Sequence, residues 1–206
     1  MLVGLTGCTG SGQSTLACIF SSLGASVCSL DEVGHRLLGR GPVARGLARE
    51  LGMSEISAMD GMGIRLHLRR RAFDDPALMQ ALCSVLHPRM RRWASLSASI
   101  LRGAEGLFVL EGALLLELGL GRLCDAIVTV ACETATCVSR IIARDGLDEG
   151  RALARLAMQM PLTEKVERSD WVVWNGSGAT EASLMSQSLP IFRFLSGWRN
   201  DGPSNS

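Results

Sequence analysis

Lysine is almost missing from this chain: Lys165 is the single one among 21 basic residues, and the rest are arginines. Those 21 bases face 20 acids, for a net charge of +1. No excess of one sign exists to attract a polyelectrolyte, so neither a nucleic acid nor an anionic membrane is an expected partner, and any anion must be held by a local patch. The seven cysteines are odd in number, scattered and without a C-x-x-C pair, which argues against a zinc site and against a disulfide framework. A basic n-region and a cleavage site, the marks of a signal peptide, are absent from the first residues. The apolar stretch 107–120 is too short to span a bilayer and carries Glu111 and Glu117. A reduced, cytoplasmic protein is the expectation. At 206 residues and 47% hydrophobic content, there is material for one sizeable α/β core with a small insert, but not for two full-sized domains. Repeats and low-complexity linkers are lacking.

What is present begins at once. The apolar run 2–5 reads as a strand, and Leu16, Ile19, Phe20 and Leu23 follow a helical spacing. Between them lies Gly7-Cys8-Thr9-Gly10-Ser11-Gly12-Gln13-Ser14-Thr15. Strand, glycine loop, helix is the context of a phosphate-cradling P-loop, because glycines let successive backbone N–H groups turn toward an anion at the positive end of a helix. Against G-x-x-x-x-G-K-[ST], Gly7, Gly12 and Ser14 fit, and Ser14 is placed for its hydroxyl to bind Mg²⁺. Position 13 departs: it is glutamine. If a lysine is lost there, replacement charge must come from an arginine or from Lys165. The plain alternative is a glycine turn that only packs a helix on a strand.

Residues 25–28 read as a second strand that runs into Asp31 and Glu32. Ligands of parallel α/β sheets sit at the carboxyl ends of strands, which puts Asp31 near the phosphates. The competing reading is an N-cap for a helix over 33–38. From about 31 to 100 the pattern becomes short helices rich in arginine (Arg65, Arg69, Arg70, Arg71, Arg89, Arg91, Arg92), with His67 and His87. These arginines are either a solvated face or, as a group, a site for an anionic substrate. Residues 107–110, closed by Glu111, and 126–131 read as further buried strands. Thr134 is expected to cap a helix on which Arg140 and Arg144, four apart, share a face and could clamp a transferring phosphate. Leu153, Leu156 and Met160 mark an amphipathic helix ended by Pro161. Residues 171–174 form a fifth strand, 175–178 a turn, 181–195 a closing helix and 199–206 a frayed tail.

Together these pieces resemble the dephospho-CoA kinase family over 2–184. The likeness rests on Leu5-Thr6-Gly7 opening the loop, Leu23-Gly24-Ala25, Asp31 with His35, Arg65 and Leu68 before Phe73, His87-Pro88 and Leu114-Leu115-Leu116-Glu117. It continues through Arg140, Arg144-Asp145-Gly146, Arg155, Gln159, Lys165, Asp170 and Asn175-Gly176. The resemblance implies an α/β P-loop NTPase fold of the nucleoside-monophosphate-kinase type. Its parts are a five-stranded parallel sheet, a helical substrate-binding insert at about 32–104 and an arginine-bearing lid at about 134–168, all in a single kinase domain. It implies transfer of the γ-phosphate of ATP to the ribose 3′-hydroxyl of dephospho-CoA, with Mg²⁺, by a monomer or small homo-oligomer. Mapped onto this chain, Gly7, Gly10, Ser11, Gly12, Gln13, Ser14, Thr15 and Asn175 bind ATP, while Ser14 and Asp31 serve the metal. Asp31, Arg140 and Arg144 are catalytic, and His35, Arg65, His87 and Glu111 line the acceptor side.

Three positions depart from the family pattern: Gln13 for the loop lysine, Ser29 for the first aspartate of a pair, and Ala113 for a proline. Loss of one charged contact to a transferring phosphoryl group costs on the order of 10²–10³ in rate by analogy with oxyanion donors. Two rivals therefore stand beside the kinase. One is a silent nucleotide- or CoA-binding protein, and the other a kinase for a different small hydroxyl or nucleoside substrate.

Overall fold

Leu2–Gly7 forms β1, with every residue after Leu2 buried. It lies in the middle of a five-stranded sheet, which explains why apolar and polar residues do not alternate along it: a central parallel strand is covered on both faces, and its buried Thr6 hydroxyl is satisfied by the Gly112 carbonyl. The computed structural model describes residues 1–39, 41–69 and 75–197. Its other strands are β2 (Ser26–Ser29), β3 (Phe108–Glu111), β4 (Ala126–Ala131) and β5 (Trp171–Trp174), in the order β2-β3-β1-β4-β5. β1 pairs in parallel with β3 (Leu2 opposite Phe108, Leu5 opposite Glu111) and with β4 (Val3 opposite Ala126, Gly7 opposite Val130). β4 pairs in parallel with β5, Val128 opposite Trp171. The chain leaves β1 toward one edge for β2, returns to β3, then crosses to β4 on the far side. That reversal creates a crevice at the carboxyl end of β1, where open α/β sheets bind ligands.

The chain divides into two compact units, one of Met1–Cys28 with residues 97–197 and one of Ser29–Leu96. In the first, α1 (Gln13–Ser22) and α9 (Glu181–Gly197) pack together, and α1 lies on the sheet. Phe20 is fully buried there, edge-on to Phe192 at 5.7 Å, among Leu5, Leu16, Val128, Val130 and Val173. Each such side chain contributes roughly 1.5–3 kcal/mol by leaving water. The same unit holds α6 (Thr134–Asp145), α7 (Glu149–Ala157) and α8 (Leu162–Glu167).

The second unit is helical: α2 (Leu30–Leu38), α3 (Gly41–Leu51), a 3-10 turn at Ser54–Ala58, α4 (Gly61–Arg69) and most of α5 (Pro76–Leu101). Leu47, Ile56 and Ile64 are fully buried within it. The short helices expected here give way to one of 26 residues, since α5 runs through Pro88. A proline costs one backbone donor and crowds the preceding turn. Arg89 supplies a side-chain bond to the Val85 carbonyl at 2.6 Å, one residue from the broken rung.

Three further boundaries differ from expectation. Glu133, not Thr134, is the N-cap of α6. The second strand begins at Ser26 and takes in Ser29, which also serves as the N-cap of α2. α7 stops at Ala157, short of Met160 and Pro161, because Gln159 N–H turns back to the Leu156 carbonyl at 3.0 Å and Met160 N–H goes to Glu117 Oε1 at 2.9 Å. Tertiary acceptors end that helix, and Pro161 instead opens α8. The expected tail 199–206 and Arg70 and Arg71 lie outside the described residues.

Candidate active site

The glycines of the loop are where a side chain cannot go. A Cβ on Gly7 would meet the Val130 carbonyl at 2.5 Å, and one on Gly10 the Cys137 carbonyl at 2.7 Å. On Gly12 it would collide with the Asn175 side-chain amide. Gly10 (φ +85°) and Gly12 (φ +96°) also have left-handed backbones that side chains rarely adopt. Gly12 is the N-cap of α1, and the first intrahelical bond closes from Leu16 N–H to its carbonyl at 3.1 Å. The amides of Gln13, Ser14 and Thr15 are therefore the open donors of the helix start, joined to its positive dipole end. Ser14 and Thr15 are exposed, so both hydroxyls face solvent at that end.

The loop's carbonyls are tied down from behind. Asn175 Nδ2 donates to the Ser11 carbonyl at 2.7 Å. Arg140 Nη1 donates to the carbonyls of Gly10 (3.2 Å) and Asn175 (3.0 Å), with a longer contact to that of Ser11 (3.5 Å). Asn175 itself is set by its N–H on the Ala131 carbonyl at 2.8 Å, at the end of β4. Carbonyls engaged on one side leave the peptide N–H groups for the other, as an anion cradle requires. On a third side Thr9 is gripped twice by Gln159: Thr9 N–H donates to Oε1 at 2.9 Å and Nε2 donates to the Thr9 hydroxyl at 2.7 Å.

Gln13 is buried and folds back, its Nε2 donating to the Cys8 carbonyl at 3.3 Å. Lys165 does not replace the missing cation. It is wholly buried, with Nζ donating to Glu117 Oε1 at 2.7 Å and to the Ala113 carbonyl at 2.6 Å. Burial of a charge is tolerable only with such pairing, so this lysine is committed to structure. Among the described residues, the cation hydrogen-bonded to the loop is Arg140.

Arg140 and Arg144 share a face of α6 but have different partners. Arg144 is half exposed and bonds Asp145 through Nε (3.0 Å) and Nη2 (2.8 Å), while Arg155 Nη1 reaches the same carboxylate at 2.6 Å. The bonds from Arg144, with added attraction from Arg155, hold the Asp145 carboxyl below its ordinary range despite partial burial.

The remaining candidates divide between the units. Glu111 ends β3, in register with Leu5. In the helical unit Asp31 is the second residue of α2, exposed, two positions beyond Ser29, which holds the N-cap position without a side-chain cap bond, so Asp31 is not the N-cap. His35 is exposed one turn later on the same side of α2. His87 is half-buried in α5, and burial, reinforced by Arg91, pushes its imidazole below the ordinary value. Arg65 falls in α4, but its side chain lies outside those described. Sequence reasoning placed Thr9 in the phosphate loop but gave no role to the Gln159 carboxamide, and it missed Glu133. Glu133 Oε2 accepts from Ser177 N–H at 3.0 Å and so holds the turn after Asn175.

The geometry has independent counterparts. A family model described as dephospho-CoA kinase matches residues 1–181. The dephospho-CoA kinase of Syntrophotalea carbinolica is 33% identical over all of this chain and 98% of its own length. A crystal structure of a Thermus thermophilus protein superposes with a TM-score of 0.73 at 32% identity, covering 93% of this chain and 95% of that one. The dephospho-CoA kinase of Campylobacter jejuni, at 21% identity and a TM-score of 0.63 over 96% and 98% of the two chains, shares the fold. With a family model spanning 181 of 206 residues laid over a braced P-loop at the carboxyl end of β1, the chain belongs to the dephospho-CoA kinase family.

Proposed function

We propose that this chain transfers the γ-phosphoryl group of ATP to the ribose 3′-hydroxyl of dephospho-CoA. The observation that carries the reading is the P-loop whose carbonyls are engaged by Arg140 and Asn175, in a chain of this family. Phosphoryl transfer asks a protein chiefly for positioning and for positive charge around three oxygens, with one acceptor for the hydroxyl proton. The amides of 13–15 and the helix dipole hold the ATP phosphates. Asp31 orients the acceptor hydroxyl and takes its proton. Arg140, from beneath the loop, and Arg144, once it leaves Asp145, stabilise charge on the transferring group, and His35, Arg65, His87 and Glu111 hold the acceptor. Asn175 serves ATP by shaping the loop.

The donor set fits Mg²⁺: the Ser14 hydroxyl is exposed at the loop's open end, and Mg²⁺ prefers one or two protein oxygens plus phosphates and waters to an all-protein cage. Ser14 and Asp31 are the residues assigned to it. When bound, the ion neutralises charge on the phosphate oxygens. No helix among the described residues is long and apolar enough to cross a membrane, and a cytoplasmic location is part of the proposal.

The test is direct. Purified protein with ATP, Mg²⁺ and dephospho-CoA should release ADP and yield a product carrying the new phosphate on the 3′-hydroxyl by ³¹P NMR. ATP binding without transfer would favour the silent binding protein, and transfer to other hydroxyls in preference to dephospho-CoA would favour a different kinase.

Residues 32–104 are assigned to acceptor binding and 134–168 to a lid. The start of α6 is clamped on the loop, with the Cys137 carbonyl against Gly10 and Arg140 bonded beneath it. The rest of the assigned lid that the loop does not hold directly is 145–157, which packs Ala152 on Val138 and Ile141 of α6 and carries Arg155. Hydrogen exchange over 145–157 is expected to slow when ATP and Mg²⁺ are added, with little change over 134–141. Equal protection with and without nucleotide would remove the lid.

A further inference from the structure

Gln159 engages two polar groups of a single loop residue, the backbone N–H and the hydroxyl of Thr9. Its Oε1 takes the Thr9 backbone N–H and its Nε2 gives to the Thr9 hydroxyl, a two-point grip that needs an acceptor and a donor side by side. The grip has a rigid base. The next residue, Met160, is fixed by its N–H on Glu117 Oε1, and that oxygen is shared with the buried Lys165 ammonium. Lys165 in turn donates to the Ala113 carbonyl, beside Gly112, which is bonded to β1 through its N–H on the Leu5 carbonyl (3.0 Å) and its own carbonyl under the Thr6 hydroxyl (3.0 Å). A closed polar circuit thus leaves β1 just before the loop and returns to the loop at Thr9. Arg140 and Asn175 hold Gly10 and Ser11 from the other side.

We propose that Gln159 is a positioning residue for phosphate binding: its carboxamide sets Thr9, and through it the loop, in the conformation that receives the ATP phosphates, and links that conformation to the end of α7. It rests on the reading of 7–15 as the phosphate loop. The absence of a lysine at position 13 raises its weight, because more of the phosphate affinity must then come from preorganised amides.

Isothermal titration with ATP and Mg²⁺ on wild type, Gln159→Met, Thr9→Val and the double variant tests this. Methionine matches the size of glutamine but makes neither bond, so ATP affinity should fall about tenfold, the worth of one or two ordinary hydrogen bonds. Thr9→Val removes the hydroxyl alone and should cost less. The double variant should be no weaker than Gln159→Met, because the lost interaction is shared. In steady state the KM for dephospho-CoA should move by less than about twofold, which a general loosening of the fold would not respect. An ATP Kd for Gln159→Met within about twofold of wild type, or additive losses felt equally by both substrates, overturns the proposal. Should Gln159→Met not fold, Thr9→Val carries the test, and an ATP affinity equal to wild type overturns it. Wild type that binds no ATP defeats the phosphate-loop reading itself and this inference with it.

Discussion

Replacing Asp31 with asparagine is expected to lower kcat by about 10²–10⁴-fold, the usual benefit of a positioned base, while leaving ATP affinity nearly unchanged. The exchange is close to isosteric and removes the carboxylate's proton affinity and charge. Little stability is at risk. Asp31 lies inside α2, two residues past the N-cap position held by Ser29, and its exposed charge in the first helical turn is worth only about 0.3–1 kcal/mol against the helix dipole. Its neighbour makes a strict control: Glu32 is on the same turn, also an exposed carboxylate, and pairs with Arg36 at 3.9 Å. Glu32→Gln should therefore turn over like wild type. Retention of more than about a tenth of kcat by Asp31→Asn lies outside the range for a general base and would reduce Asp31 to a helix-start acid.

Much of this frame was legible because it rests on local rules. β1, the glycine loop and α1 announce themselves through an apolar run, three glycines and a helical spacing, and all three lie where those signals are. The strands β3, β4 and β5 followed from short apolar stretches, to within one residue at each end. What could not be read is set by partners far along the chain. Nothing near Gln159 tells that its carboxamide meets Thr9, 150 residues away, or that Met160 ends a helix by bonding Glu117. The fate of Lys165 is of the same kind: the lone lysine drew attention as a possible spare cation, yet its use is decided by Glu117 and Ala113 across 48 and 52 residues. Arg140 and Arg144 show how far spacing reaches. The i, i+4 rule correctly put them on one face, but only packing sends the first beneath the P-loop and leaves the second to Asp145.

Gln13→Lys is expected to raise kcat/KM by roughly tenfold or more, if the missing cation is worth at least ~1.4 kcal/mol in the transition state. A glutamine amide can donate to a phosphate oxygen but brings no charge, and charge on the transferring group matters most in the transition state. The neighbouring cations are already engaged. Lys165 is buried against Glu117, Arg144 and Arg155 converge on Asp145, and Arg140 spends Nη1 on the Gly10 and Asn175 carbonyls. For Arg140 to take the lysine's place it would have to release bonds that shape the loop. A lysine at 13, by contrast, starts from the same backbone position at the head of α1 and can keep the donation to the Cys8 carbonyl until phosphate arrives. Its charge then serves the β- and γ-phosphates without disturbing Asn175 or Arg140. Steady-state kinetics with dephospho-CoA varied at saturating ATP, and then the reverse, decide the matter. An unchanged or lower kcat/KM would mean that the site has adapted around glutamine and that another group supplies the charge. If both proteins bind ATP and neither phosphorylates dephospho-CoA, the deficit lies beyond position 13, and the silent binding protein replaces the kinase.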